Sequence, residues 1–232
     1  MISAAYWIWK PGSDADAFVA ITTGAGEKRE ITLPDGSTVW MNELSRLEYP
    51  GDFQKREVIL DGEAFFEVRK AHGKTFTIRS GEALTTVLGT SFNVRAYPQE
   101  GGVEVTVKTG KVELKSAEAS ERRVLLSPGD AGVFEKSRKQ VLKIEKSNNN
   151  SDAWKTHSLT FDDAPVGEVV QALERYFEVD IEVSNEALLK CQFKLNALQN
   201  PELEDIFKLM GFTMDIKVTK QKDKYILNGN GC

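Results

Sequence analysis

Between residues 30 and 146 the apolar side chains recur at every second position, and each run stops at a turn sequence. Ile31 and Leu33 lead into Pro34-Asp35-Gly36-Ser37, and Val39 and Met41 alternate beyond it. Each turn residue has a physical role: proline presets φ, aspartate bonds back to the backbone, and glycine takes positive φ. Val58 and Leu60 run into Asp61-Gly62, after which Ala64, Phe66 and Val68 alternate. Shorter runs follow at 76–78, 84–88, 92–97, 103–107, 112–114, 124–126, 133–134 and 142–144. No window here keeps the three-and-four spacing of a helix. About ten short strands without a helix predict an all-β domain, either a sandwich or a solenoid. Gly62 and Gly110 each divide two alternating runs, where a residue without Cβ permits a bulge or corner.

The period then changes. Lys146-Ser147-Asn148-Asn149-Asn150-Ser151 has nothing to bury and reads as a linker. Leu159 and Phe161 make a strand. Asp163 is placed to cap a helix with Pro165 in its first turn. Val166, Val169, Val170, Leu173, Tyr176 and Phe177 form its apolar stripe. Val179-Asp180-Ile181-Glu182-Val183 follows as a strand. The unit recurs. Phe193 and Leu195 predict a strand, and Asn200-Pro201 starts a helix carrying Leu203, Ile206, Phe207 and Met210. Gly211 ends it, and Met214-Asp215-Ile216-Lys217-Val218 matches the earlier strand. Tyr225 to Leu227 closes the domain. The expected fold class is therefore mainly β plus α/β, with a small duplicated β-α-β domain in second place. The boundaries are 1–29 for a membrane-proximal lead-in, 30–146 for the β domain, 147–151 for the linker and 152–232 for the α/β domain.

At 232 residues and 41% hydrophobic content, the chain can bury one large core or two modest ones. Its net charge of −5 argues against a surface built for nucleic-acid phosphates. Cys232 is the last residue, and chain ends are usually mobile, so Cys191 and Cys232 are expected as a half-buried thiol and a loose one. Residues 2–9 are apolar except Ser3, and Tyr6, Trp7 and Trp9 crowd against Lys10. That pattern reads either as the end of a membrane helix at the headgroup layer or as a hydrophobic strand. Residues 13–29, small and polar, read as a flexible lead-in.

Sites for chemistry are scarce. His72 and His157 lie in separate loops with no metal-ligand spacing around them. Gly89-Thr90-Ser91-Phe92-Asn93 half matches a nucleophile elbow, but Asn93 stands where a second glycine belongs. Glu63 and Glu67 share one strand face and invite a paired-carboxylate reading. Exposed alternates on the solvent side are the ordinary explanation. No enzyme, metal or cofactor is expected.

LPDGS followed by VWMN, then REVILDGEAFFEV, LGTSFNVRAY and SPGD, resembles in that order the periplasmic part of the FecR family of membrane-anchored anti-sigma regulators. From Leu159-Thr160-Phe161-Asp162-Asp163-Ala164-Pro165-Val166 onward the chain is similar to the STN-like domain of secretins and TonB-dependent transducers. The resemblance makes Asp35, Gly36, Gly62, Glu63, Gly89, Thr90, Phe92 and Asn93 signature residues with structural roles. Gly89, Thr90 and Asn93 would set a corner and Phe92 would fill the core. It also implies a periplasmic region anchored to the inner membrane and touched by the signalling domain of an outer-membrane TonB-dependent transporter. The extracytoplasmic-function sigma factor would be held by a cytoplasmic domain absent here. No catalytic residue or cofactor is implied. Phe193, Lys194 and Leu195 are the candidate partner edge, since an unpaired strand offers backbone donors and acceptors and Lys194 could guard it. The rival reading is a carbohydrate-binding or hydrolytic β-domain of the cell envelope. It requires a concave face with aromatic rings and convergent polar groups. A purely structural envelope component is the third.

Overall fold

The structure, a computed structural model, describes residues 18–118, 122–145, 150–222 and 224–232. The aromatic segment at 2–9 and residues 146–149 of the expected linker lie outside the described residues. Strands occupy β1 (Phe18–Thr22), β2 (Arg29–Thr32), β3 (Thr38–Met41), β4 (Arg46–Pro50), β5 (Glu57–Glu67), β6 (Phe76–Ser80) and β7 (Ala83–Val87). They continue with β8 (Ser91–Ala96), β9 (Gly102–Thr109), β10 (Val112–Ser116), β11 (Arg123–Leu126), β12 (Ala131–Glu135) and β13 (Gln140–Ile144). These form one 13-stranded, nearly closed sheet folded into two layers. The expected flexible lead-in is in part β1, paired antiparallel with β4 from Phe18 to Thr22.

The long strand β5 joins the layers. Its first half pairs with β4 and, in parallel, with β6. Its second half pairs with β3 and β8. The switch falls at Gly62, which has φ +109°. A Cβ there would lie 2.4 Å from Ser45 Oγ and 2.6 Å from Ser45 Cα, so only glycine allows both the angle and the approach. Gly110, with φ +81°, sits between β9 in the second layer and β10 in the first, and returns the chain. Val58, Leu60, Ala64 and Phe66 all point into the core, as the period of two requires. Phe66 stacks on Phe92, ring centroids 5.4 Å apart.

The C-terminal part contains α1 (Ala153–Thr156), β14 (Ser158–Pro165), α2 (Val166–Phe177), β15 (Asp180–Val183) and a 3₁₀ turn (Glu186–Lys190). After these come β16 (Gln192–Gln199), α3 (Leu203–Met214), β17 (Lys217–Gln221) and β18 (Lys224–Asn228). β14 and β16 make a two-stranded antiparallel sheet; β18 lies between β15 and β17 in a second sheet. The helix stripes Val166, Val169, Leu173 and Leu203, Ile206, Met210 build one separate core. None of the described helices is long and apolar enough to cross a membrane.

Several local expectations are corrected. Asp163 does not cap α2: it sits in a bulge of β14 with φ +48°, and Pro165 holds the cap position in extended conformation. α3 starts at Leu203, after Asn200-Pro201, and runs through Gly211 to Met214. Asp215 then takes the left-handed cap conformation instead, with φ +51°. One glycine without a capping partner costs a helix only about 1 kcal/mol, which tertiary packing of Met210 overrides. The following strand therefore begins at Lys217 and not at Met214.

Cys191 and Cys232 are joined in a disulfide, Cα atoms 5.7 Å apart, contrary to the loose-thiol expectation. The chain end is not free because residues 229–231 lie along the 3₁₀ turn. Asn185 Nδ2 donates to Gly229 O, and Gly231 packs on Ala187. The bond spans 41 residues. Cys232→Ser is expected to lower unfolding free energy by about 2–3 kcal/mol through the wider unfolded ensemble. Urea denaturation measures it, and a loss equal to that of parent protein under reducing conditions would attribute it to the bond.

Candidate functional site at the joint between the two parts

Gly62 to Phe66 on β5 is buried without interruption, so both faces of the second layer are covered there. Phe66 and Ala64 face the sheet core. Glu63 and Phe65 face the C-terminal part. Glu63 was expected among exposed alternates; its side chain is 6% exposed. Its Oε1 accepts from Asn93 Nδ2 at 2.8 Å. Its Oε2 accepts from Asn42 Nδ2 at 2.9 Å and Arg95 Nη1 at 3.0 Å. Burial pushes the Glu63 carboxyl above the usual carboxylate range, and the Arg95 charge and the two amides pull it back. Strand pairing explains the gathering: Arg95 lies opposite Glu63 and Asn93 opposite Phe65 on β8.

The polar cluster reaches outward through Arg95, which also binds Glu100 and lies 4.8 Å from the Tyr97 ring. The Tyr97 hydroxyl donates to Glu43 O. Burial, then the Glu63 charge, push that hydroxyl up to about 12.

Asn93 carries the cluster to the C-terminal part. Its Oδ1 accepts from Trp154 Nε1 on α1 at 3.3 Å. Lys155 lies 3.7 Å from the Trp40 ring and 4.6 Å from Phe65. Lys28 Nζ donates to Trp154 O at 2.9 Å. Lys108 pairs with Asp152, and Arg175 on α2 pairs with Glu104 on β9 at 2.8 Å. Glu178, the left-handed cap of α2, has its carboxyl within hydrogen-bonding reach of Glu43. That hydrogen bond holds Glu43 down and pushes Glu178 up. A cleft of about 440 Å³ remains between Glu63, Asn93 and Arg95 on one side and Trp154, Arg175 and Tyr176 on the other.

The signature residues divide into two groups. Asp35 pairs with Arg56 at 2.7 Å and accepts from Ser37 N, which closes the β2–β3 turn. Gly36 has φ +79°, and a Cβ there would meet Arg69 Nη1 at 2.5 Å. Gly89 packs against Lys70, and Thr90 Oγ1 donates to Lys111 O. Phe92 is fully buried. Those residues hold turns and core. Asn93 is not at the corner: it lies within β8 and, with Glu63, forms the joint. Asn42, Arg95, Trp154, Lys155 and Arg175 were not singled out from sequence. No local signal separates them: polar side chains at Asn42, Glu63, Asn93 and Arg95 read as a solvent face, and only the C-terminal part laid over them makes them a joint.

The strand that carries Phe193, Lys194 and Leu195 is longer than its sequence reading: β16 is eight residues long, and among the described residues it pairs with β14 alone. Phe193 is buried. Lys194 is bound to Asp162 and Asp163 on β14, opposite the bulge, so its charge is directed across the ribbon. His72 sits in a turn and His157 is the left-handed C-cap of α1, and no group of three metal-ligating side chains occurs among the described residues. Glu67 is half exposed beside Lys155, while both oxygens of Glu63 are occupied by N–H donors.

With this geometry in place, the comparisons identify the class. The FecR protein family matches residues 19–113, and the FecR C-terminal family matches residues 158–227. The chain belongs to the FecR family of anti-sigma regulators. It is similar to two crystal structures of a candidate anti-sigma factor from Parabacteroides distasonis ATCC 8503. One is 29% identical with a TM-score of 0.66, covering 92% of this chain and 100% of that one. The other is 28% identical with a TM-score of 0.65, covering 93% and 100%. No curated protein sequence matches.

Proposed function

We propose that this chain is the periplasmic, signal-receiving region of an anti-sigma regulator anchored to the inner membrane. It accepts a signal by protein contact from the signalling domain of an outer-membrane TonB-dependent transporter and controls an extracytoplasmic-function sigma factor. The sigma factor itself is met only by a cytoplasmic domain outside this chain, and the region performs no catalysis.

The observation that supports the reading is the joint. The C-terminal part rests on the FecR sheet through Trp154 and Arg175. Trp154 precedes the FecR C-terminal match and donates to the signature residue Asn93 beside Glu63; Arg175 lies within that match and pairs with Glu104. A partner docking on the C-terminal part therefore pulls on the sheet through a directional polar contact. The order β14-α2-β15 then β16-α3-β17 agrees with an STN-like domain, a module suited to pairing with its like by strand addition.

The test is binding to a panel of transporter signalling domains, with Lys194→Pro and Leu195→Pro compared. Successive backbone N–H groups alternate sides, so one substitution faces β14 and the other faces the open edge. The variant that keeps its melting temperature should bind at least about tenfold more weakly, a loss of about one backbone hydrogen bond. Parental binding by that variant rejects β16 as the edge. Binding to no domain of the panel rejects the transporter reading.

A further inference from the structure

The cleft at the joint has the size of a small-molecule site, about 440 Å³ against a usual range of roughly 300–1,000 Å³. Its floor is rigid before any ligand arrives, because Glu63, Asn42, Asn93 and Arg95 bind one another. Trp154 and Tyr176 offer ring surface, and Ala131 and Val133 add an apolar strip.

What decides the ligand chemistry is which groups are already committed. Arg95 is bound to Glu63 and Glu100, and Arg175 to Glu104. Of the uncommitted groups one is a carboxylate, which only accepts, and the others both donate and accept. The Glu168 carboxylate on α2 makes no ion pair or hydrogen bond among the described residues, and neither do the Gln171 amide and the Thr106 and Tyr176 hydroxyls. Among the described residues lining the cleft, an anion would meet Glu168 with no unpaired cationic side chain to balance it. A wholly apolar ligand would cover the Glu168 carboxylate at a cost in desolvation. A ring with one apolar face and a rim of O–H or N–H donors satisfies both surfaces.

We propose that this cleft binds a saccharide unit of one or two rings, an amino sugar in preference to a neutral one, with Glu168 accepting from the ammonium group. The proposal goes beyond the signalling reading and does not require a transporter partner.

The test titrates the purified chain with glucosamine, glucose and glucuronate, following the Trp154 indole N–H by NMR and heat by calorimetry. The expected order of affinity is glucosamine, glucose, glucuronate. Glu168→Gln should remove about tenfold of the glucosamine affinity while leaving glucose near its parental value. Gln171→Ala, on an exposed helix position, should weaken all the binding sugars with an unchanged melting temperature. Two results overturn the site. One is no movement of the Trp154 signal by any sugar up to ten times the ~1 mM Kd of a weak site. The other is sugar binding that neither variant alters. Because no signalling domain is present, failure here leaves the transporter reading standing, and failure of the panel assay leaves the sugar site standing.

Discussion

Glu63→Ala should lower the unfolding free energy by about 3–4 kcal/mol, because one member of a buried ion pair is removed and its partners stay behind. Arg95 would keep Glu100, which holds the loss at the lower end. Asn42 and Asn93 would each lose the acceptor of an amide N–H in a buried setting. The effect should not stop at stability. Asn93 would no longer be fixed for Trp154, so the C-terminal part should loosen on the sheet. Amide exchange at 153–156 should quicken in this variant while exchange on β6 and β7 changes only by the global loss. Equal protection at 153–156 would mean that the polar cluster does not hold the joint.

The same residue predicts a pH effect with a defined sign. Burial raises the folded-state pKa of Glu63 above that of the unfolded chain. The folded state thus keeps the proton to higher pH, and this contribution is complete below the unfolded value of about 4.3. It declines as pH rises through the raised folded value. Glu63→Gln carries no titrating group, so its stability relative to the parent should improve as pH rises through that window. At acid pH the comparison is less favourable to it. Urea denaturation across mildly acidic to neutral pH reads the crossing trend; a parallel offset at every pH would deny that Glu63 titrates differently in the two states.

Much of the architecture is written in local chemistry. Val58, Leu60, Ala64 and Phe66 alternate because a strand side packed on a core must be apolar, and a short window shows this. Gly62 could be read as a corner because a glycine interrupting an alternating strand is a costly choice without a backbone reason. The burial of Glu63 could not be read that way. A single strand specifies two faces, and whether the second face meets water depends on what lies far along the chain, here Trp154 and Arg175. The same limit hid the disulfide, since the fixing of Cys232 depends on Gly229 and Gly231 lying against the 3₁₀ turn. α1 was missed for a different reason. Four residues are too short for any periodic signal, and its role rests on one aromatic side chain.

Phe92→Ala is expected to cost about 3–5 kcal/mol, the range for emptying a buried aromatic site. Phe92 is fully buried, lies opposite both Phe66 on β5 and Val107 on β9, and stacks on the Phe66 ring. Phe66 in turn meets Phe76 edge-on at 6.2 Å, so the ring series crosses from the second layer toward the first. A cavity here removes contacts from both layers, and β-sheet backbone bonded on either side of β8 cannot collapse to fill it. The neighbouring position supplies the control. Asn93 is the next residue on β8 and points to the opposite face, so Asn93→Ala removes the Glu63 and Trp154 bonds without touching the ring stack. Chemical denaturation with near-parental m-values should show the larger loss in Phe92→Ala, while amide exchange at 153–156 beyond the global change should rise only in Asn93→Ala. A loss below about 1 kcal/mol for Phe92→Ala would mean the ring is not closely packed, and the core assignment of this signature residue would fall with it.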